Sequence, residues 1–381
     1  MYNFLSNSNI TIGNGSIDKI VNFINNDNFK SPLFLVDSGF ENTEYWKNKF
    51  LKLMQNKNFT INCITIHNRN EPNYDDLRQY IKLSKQFNPD VIFGLGGGSC
   101  MDLSKAVGAL LKNDKDPTFY KGFDKVENKG VPVILIPTVA GTGSEASFNA
   151  SFVDEDTKVK MGINGKFMFP YKAILDGEAT LSCPKKPAVG AAMDSLVHAI
   201  EAYICKFSNT FSDMLSEKAI ELIIPSILDL NETKPNLEKR LNLLKGAYLA
   251  GLAQMNGGGG LSSSTSYPFS VYYKIPHGIA GAIFLLEYCK FNASHGYNKY
   301  TKLFNAIPEY KVNSLEDFIS VLENLYEQLN MPKNLSEFGI FKKDKEKIMS
   351  IMQTQQIGFD QNPIDFKVNI HFSEFIDKFL E

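Results

Sequence analysis

The chain has 381 residues, 43% of them hydrophobic and 22% charged, with a net charge of −2. That length holds two domains of ordinary size, and the near-neutral charge gives no electrostatic footprint for nucleic acid or an anionic membrane. No apolar run approaches a membrane span, and Met1-Tyr-Asn-Phe-Leu-Ser6 lacks the basic-then-apolar pattern of a secretory signal.

Five cysteines (63, 100, 183, 205 and 289) are scattered, odd in number and nowhere spaced as C-x-x-C. They suit a reducing, cytoplasmic compartment and argue against a cysteine-rich zinc site. No internal repeat and no long low-complexity tract is visible. The partner expected is a small-molecule substrate, with no nucleic acid and no membrane; a homo-oligomer is expected.

Residues 1–180 alternate strand and helix patterns. Ser16 to Asn28 has helical spacing, and Leu33-Phe-Leu-Val36 is a short buried strand ending in Asp37-Ser38-Gly39. Glu41 to Lys57 reads as a helix, Ile61 to Ile66 as a strand, and Asp75 to Phe87 as a helix closed by Asn88-Pro89. Strand–helix–strand units with short connections predict a parallel sheet covered on both faces, with ligands beyond the carboxyl ends of its strands. Asp37 lies at such an end.

The next strand, Val91-Ile-Phe93, runs into four glycines within five residues, Gly94, Gly96, Gly97 and Gly98, and then a helical run from Met101 to Leu111. Glycines let the backbone approach an anion, and the free N–H groups of a first helical turn point at it. Asp102 is expected in that first turn, where the helix dipole favours a carboxylate. The plainer reading is a tight turn with no ligand. The common dinucleotide fingerprint is absent, because Ser99 stands where its third glycine belongs. The acidic residue due some 20 positions on would fall near Asp114 or Asp116, in a polar loop.

Val133 to Ile136 is a further buried strand, followed by Pro137-Thr-Val-Ala-Gly-Thr-Gly-Ser-Glu-Ala146. Thr138, Thr142 and Ser144 place hydroxyls beside flexible glycines, either as an ordinary turn or as a second wall of the same ligand site. Lys158–Ile163 and Ala173–Asp176 read as smaller strands, expected as a hairpin on the sheet edge.

Near Leu181-Ser-Cys-Pro184 the strand signals cease, which puts a domain boundary there: 1–180 and 181–381. Beyond it helical patterns cover 185–205, 211–229, 236–254, 278–290, 314–330, 343–353 and 371–380. Asp194 and His198 stand at i and i+4, neighbours on one helix face. Such a pair is either a surface hydrogen bond or half of a metal site. The apolar flanks Ala191-Ala-Met193 and Leu196-Val197 favour burial, which needs a reason. His277, in Ile275-Pro-His-Gly-Ile279, is a third candidate ligand.

Four stretches together resemble the iron-containing alcohol dehydrogenase family, the group III enzymes: Gly96–Asp102, Pro137–Glu145, Asp194-Ser-Leu-Val-His-Ala-Ile-Glu-Ala-Tyr203 and Pro276-His-Gly278. They fall in the family's order and spacing over essentially the whole chain. The resemblance implies an α/β nucleotide-binding domain built on a parallel sheet and an all-α C-terminal domain, a dehydroquinate synthase-like fold. It implies a nicotinamide cofactor between them, touched by Asp37, Gly97, Gly98, Ser99, Asp102, Thr138, Thr142, Ser147 and Lys160. The carboxylate of Asp37 would accept a ribose hydroxyl and repel a 2′-phosphate, so NAD is expected over NADP.

The family's divalent metal, Fe2+ or Zn2+, is similarly held by one Asp and three His. Asp194, His198 and His277 fill three of those positions, and Ser263 stands at the fourth. Tyr267 replaces a second usual histidine, near the substrate. Ser266-Tyr-Pro268 resembles the branch that reduces phosphonoacetaldehyde. Tyr120–Asp124 and Lys160–Asn164 resemble the branch that oxidises C8 of the sugar acid 3-deoxy-manno-octulosonate. Neither pattern accounts for Ser263.

The function these features imply is hydride transfer between nicotinamide and a primary alcohol or aldehyde, with a polar substrate. Tyr267 and His277 are the candidate catalytic residues, and the metal is either bound weakly or absent. Three alternatives stand beside it: a metal-free reductase of the same family, a dehydroquinate synthase-like cyclase that uses NAD transiently, and a non-catalytic NAD-binding relic.

Overall fold

The computed structural model describes the chain except for residues 1, 2, 7, 8, 58–60, 68–70, 301, 302, 304–306, 308 and 309. Two compact units divide it: Ser6–Pro184 with Pro235–Tyr248, and Met1–Leu5 with Lys185–Lys234 and Leu249–Glu381.

In chain order the first unit holds β1 (Ile10–Ile12), α1 (Ile20–Asn26), β2 (Pro32–Asp37), α2 (Ser38–Glu41), α3 (Leu51–Asn56), β3 (Asn62–Ile66), α4 (Tyr74–Lys85), β4 (Val91–Gly96) and α5 (Gly98–Leu110). β5 (Gly122–Phe123), β6 (Val133–Pro137), β7 (Asn149–Val153), β8 (Lys160–Asn164) and β9 (Lys172–Leu175) follow. Six strands form one sheet in the order β1-β9-β6-β4-β2-β3, and every pairing in it is parallel. The central strands are apolar runs because both faces are covered. Phe34, Val36, Phe93, Leu95, Ile134 and Ile136 form one face, packed with Trp46, Phe50 and Met54 in a single buried cluster.

Register then decides what meets at the carboxyl edge. Val36 pairs with Leu95 and Gly96 with Pro137. Asp37, Gly96–Gly97 and Pro137–Thr138 therefore emerge side by side.

The expected edge hairpin is not formed. β9 lies inside the parallel sheet between β1 and β6, and β8 pairs antiparallel with β7 in a separate three-stranded sheet, β5-β8-β7. Burial explains the difference. All four residues of β9 are buried, as an interior parallel strand requires, whereas β8 is only partly covered. β1 is three residues long, too short for an alternating pattern to register.

The second unit is built on α6 (Lys185–Ile204) and α7 (Thr210–Ile227), the end of α8 (Leu237–Gly257), α9 (Leu261–Tyr273), α10 (His277–Ser294) and α11 (Leu315–Gln328). α6 is buried almost all round from Ala188 onward, as befits a central helix rather than an amphipathic surface one. α7 and α10 pack against it. A Cβ on Gly278 would lie 2.1 Å from the Gly190 carbonyl oxygen and 2.8 Å from Asp194 Cβ. Only glycine lets α10 begin against the backbone of α6, and that contact carries His277 to Asp194.

α9 has no counterpart in the sequence reading. Its stretch Ser262-Ser-Ser-Thr-Ser266 is rich in residues that ordinarily favour caps and turns. Burial of the whole stretch overrides that preference, and its hydroxyls are satisfied on carbonyls of the preceding turn: Thr265 to Leu261 at 2.7 Å, Ser266 to Ser263 at 2.6 Å and Ser270 to Ser266 at 2.8 Å. The expected helix 371–380 is shorter, a wide turn over Val368–Phe372 followed by Ser373–Ile376. Ring packing governs there. Phe375 stacks on Tyr288 at 4.1 Å and Phe379 meets Phe284 edge-on at 4.9 Å. Among the described residues no helix is long and apolar enough to cross a membrane.

Candidate active site

At the carboxyl edge of the sheet, β4 ends in Gly96 and α5 starts at Gly98, with Gly97 as its N-cap. A Cβ on Gly97 would meet Val139 Cγ1 at 3.2 Å, and one on Gly98 would meet Thr142 Cγ2 at 2.6 Å. The glycine turn and the Thr138–Thr142 loop are thus in contact, and the Thr138 amide donates to the Gly96 carbonyl at 3.0 Å. The bare backbone and first-turn N–H groups of α5 make a cradle that fits a phosphate. Ser99 lies in that first turn, half-buried.

Asp37 caps α2, accepting the Gly39 amide at 2.8 Å and the Phe40 amide at 3.3 Å, both through Oδ1. Partial burial raises its carboxyl above the ordinary range, against the pull of those two amides.

Asp102 is in the second turn of α5, not the first. The helix begins three residues earlier than the apolar run indicates, because Gly98-Ser-Cys100 already follow the helical path. Its carboxylate is committed within the chain: Oδ1 accepts Ser144 Oγ at 2.5 Å and Oδ2 accepts the Ser151 amide at 2.9 Å. Lys105 lies 3.2 Å from Oδ1 with its side chain fully buried. Its ammonium also donates to the carbonyls of Ser144 at 2.9 Å, Ser147 at 3.4 Å and Asn149. Lys105 therefore ties the loop bearing Thr142 and Ser147 to the helix after the glycine turn. Beside it, burial pushes Glu145 up to about 7, opposed by its own backbone amide and Lys105. Lys160 is ion-paired with Glu71 at 2.7 Å, both nearly covered.

In the helical unit, Asp194 and His198 on α6 and His277 at the start of α10 each offer a ligand atom, and the three atoms lie within 4.8 Å of one another. Asp194 and His198 are buried and His277 half-buried. His198 Nε2 is 3.6 Å from Asp194 Oδ1, beyond a good hydrogen bond. His198 Nδ1 is buried with no partner among the described residues. A buried imidazole nitrogen left unpaired is costly. Two nitrogens and one carboxylate oxygen converging on a point are the donor set of a divalent transition metal, so these residues fit the metal.

Ser263 is turned to a different task. Its hydroxyl donates to Glu201 Oε2 at 2.5 Å and its amide to the same carboxylate at 3.2 Å, while the Ser262 amide donates to Oε1 at 2.5 Å. Glu201 thereby caps α9. Burial pushes it up to about 7 in spite of those donors. Tyr267 is half-buried, its ring centroid 5.2 Å from that of His277. Ser266 Oγ is 3.3 Å from His277 Nδ1 and 3.4 Å from Nε2, and Ser270 Oγ is 3.4 Å from Nδ1.

Lys105, Glu71, Glu201, Ser266 and Ser270 were not singled out from the sequence. Lys105 and Glu201 leave a signal there, a charge flanked by small and apolar residues within a helical run. The serines leave none.

Comparison with known proteins adds a family. Residues 7–177 match the model for iron-containing alcohol dehydrogenase, and residues 188–370 match that for the C-terminal part of the Fe-containing alcohol dehydrogenase family. The NAD-dependent methanol dehydrogenase of Bacillus methanolicus is 31% identical over 282 residues, 72% of this chain and 74% of that protein. The structure of an alcohol dehydrogenase from Oenococcus oeni superposes with a TM-score of 0.91 at 23% identity, covering 100% of both chains. That of sulfoacetaldehyde reductase from Bifidobacterium kashiwanohense in complex with NAD+ gives 0.89 at 21% identity, covering 100% of this chain and 98% of the other. The fold is the dehydroquinate synthase-like one of these neighbours.

Proposed function

This chain belongs to the iron-containing alcohol dehydrogenase family, and we propose that it moves a hydride between C4 of NAD and a polar primary alcohol or aldehyde, of the sugar-acid or phosphonate-aldehyde kind. Oxidation takes the alcohol and NAD+ to the aldehyde, NADH and a proton, and reduction runs the reverse. The observation that carries the reading is the convergence of Asp194, His198 and His277 on one point, with a buried imidazole nitrogen unpaired.

Gly97, Gly98 and Ser99 receive the pyrophosphate on backbone N–H groups. Thr138 and Thr142 wall the same turn. Asp102, with both oxygens taken, serves the cofactor by holding the loop that bears Ser147. Lys160, paired with Glu71, serves at the same cofactor. Asp37 spends Oδ1 on its cap and offers Oδ2 to a ribose hydroxyl, which selects NAD over NADP.

Asp194, His198 and His277 would hold the divalent ion, Fe2+ or Zn2+, which when bound would supply Lewis acidity to the substrate oxygen and lower an alcohol's pKa. Tyr267, beside His277, handles the proton of the substrate oxygen. A panel of aldehydes and sugar acids assayed with NADH and NADPH tests the reading, and turnover with none of them contradicts it. In Tyr267→Phe the rate falls about 10²–10⁴-fold if the phenol moves the proton; an unchanged rate across pH leaves Tyr267 as a wall.

A metal-free reductase is the second reading, favoured by Ser263. Its hydroxyl is engaged by Glu201, so no fourth strong ligand comes from that position. Tyr267 and His277 would then orient the substrate oxygen and supply the proton.

A further inference from the structure

We propose that Gln254 binds a hydroxyl group of the substrate, so that the polar alcohol or aldehyde of the reaction is a hydroxylated one and not a phosphonate. The inference rests on the function proposed above and narrows its substrate.

Gln254 lies on α8 and approaches the ligand trio through Ser263. Ser263 is three residues before Ser266 on α9, and Ser266 Oγ is 3.3 Å from His277 Nδ1. Glu201 is three residues beyond His198 on α6, and its carboxylate takes the Ser263 hydroxyl at 2.5 Å. Residues three apart are neighbours on a helix face, so position 263 stands one helical step from both histidines. Gln254 Nε2 is 3.4 Å from Ser263 Oγ. That hydroxyl gives its proton to Glu201, so the end of the amide that faces it is the N–H end. The contact is long and uses little of the amide. Its second N–H and its Oε1 bond to no described residue, and the side chain is only half-buried.

The chain keeps space beside this amide. Four consecutive glycines, Gly257 to Gly260, lead from α8 into α9. Packing demands three of them: a Cβ would lie 2.8 Å from Ser212 Cβ at Gly257, 2.7 Å from Cys205 Sγ at Gly258 and 2.9 Å from the Glu201 carboxyl at Gly260. At Gly259 a Cβ would meet only Gln254 Nε2 and Ser263 Cβ, both at 3.9 Å, an ordinary contact. Gly259 therefore answers no crowding within the chain, and its missing side chain leaves Gln254 and Ser263 open on that side. Ser263 adds to the space, being small and turned to Glu201.

The chemistry of the open amide selects its ligand. An amide offers a donor and an acceptor without charge, and a hydroxyl both gives and takes a hydrogen bond. A phosphonate only accepts, and is bound best by cationic donors. No lysine or arginine bonds to the side chain of Gln254 or Ser263, and the ionisable group behind them is the Glu201 carboxyl, which would repel an anion.

The test measures kcat and KM of the metal-loaded full chain for NADH-linked reduction of glyceraldehyde, propanal and phosphonoacetaldehyde, in the wild type and in Gln254→Leu. The wild type should favour glyceraldehyde over propanal, two aldehydes of equal carbon count. Gln254→Leu should raise KM for glyceraldehyde about tenfold, as for a lost hydrogen bond, and lower it for propanal. A merely structural role would move both aldehydes together. Gln254→Met, unbranched like glutamine, gives the same contrast should leucine disturb folding. Equal losses on the two aldehydes, or no preference between them in the wild type, overturn the inference. Reduction of phosphonoacetaldehyde but not of glyceraldehyde also overturns it and leaves the proposed function standing. Turnover of none of the three is the failure of that function, and the inference falls with it.

Discussion

At the scale of single residues, burial raises the carboxyl groups of Asp37 and Glu145 above their ordinary range. In the proposed function Asp37 selects between the two cofactors. Replacing it with Gly keeps a tolerable cap for α2, since Gly at an N-cap costs only a few tenths of a kcal/mol. It removes the charge that a 2′-phosphate would meet. The NAD-over-NADP preference should shrink by about tenfold or reverse, roughly the value of one charged hydrogen bond. Equal affinity for both cofactors in the unmodified protein would contradict the assignment.

Glu145 carries a pH signature. Burial lifts it from the ordinary 4.5 to about 7, so the folded state holds the proton more tightly than the unfolded one. Its contribution to stability is full below about 4.5 and is lost as pH rises through about 7. Urea unfolding of Glu145→Gln should therefore show a flatter pH dependence across that window than the wild type. Parallel curves would mean the carboxyl is not protonated in the fold.

At the scale of elements, α5 and the loop after β6 act as one piece because Lys105 joins them. Removing one partner of a buried pair costs about 3–5 kcal/mol, since the other charge is left uncompensated. Lys105→Met should lose that much stability in urea unfolding and weaken NADH binding by loosening the Ser144–Ser147 loop. A loss under about 1 kcal/mol, the value of an exposed pair, would show that the ammonium does not bear on the loop.

This scale also shows what the sequence could and could not reveal. β2, β4 and β6 were legible because fully buried parallel strands leave unbroken apolar runs. The Asp194–His198 pair was legible because helix geometry puts i and i+4 together. β9 was assigned to the wrong partner because Ala173-Ile-Leu175 looks the same at an edge or in the interior; only its neighbours decide. α9 was illegible because tertiary burial overrode the turn preference of five hydroxyl residues. Ser266 and Ser270 were invisible too, since a serine beside a histidine looks in the sequence like any other.

At the scale of the whole molecule, one unit carries the glycine turn and the other the carboxylate–imidazole trio. The reading assigns the hydride carrier to the first and the Lewis acid to the second. In the second, Ser263 serves Glu201 while Asp194, His198 and His277 offer three candidate ligand atoms. Such a site should hold its ion less tightly than a four-ligand one and be emptied readily during purification.

The central claim is therefore that turnover depends on an ion at Asp194, His198 and His277. The direct measurement is nicotinamide-linked activity in protein stripped by chelation, with metal content measured on the same sample, before and after adding Fe2+ or Zn2+. The account predicts loss of activity on stripping and recovery with one of the two ions, and no recovery in Asp194→Asn. Full activity in a rigorously metal-free preparation would contradict it.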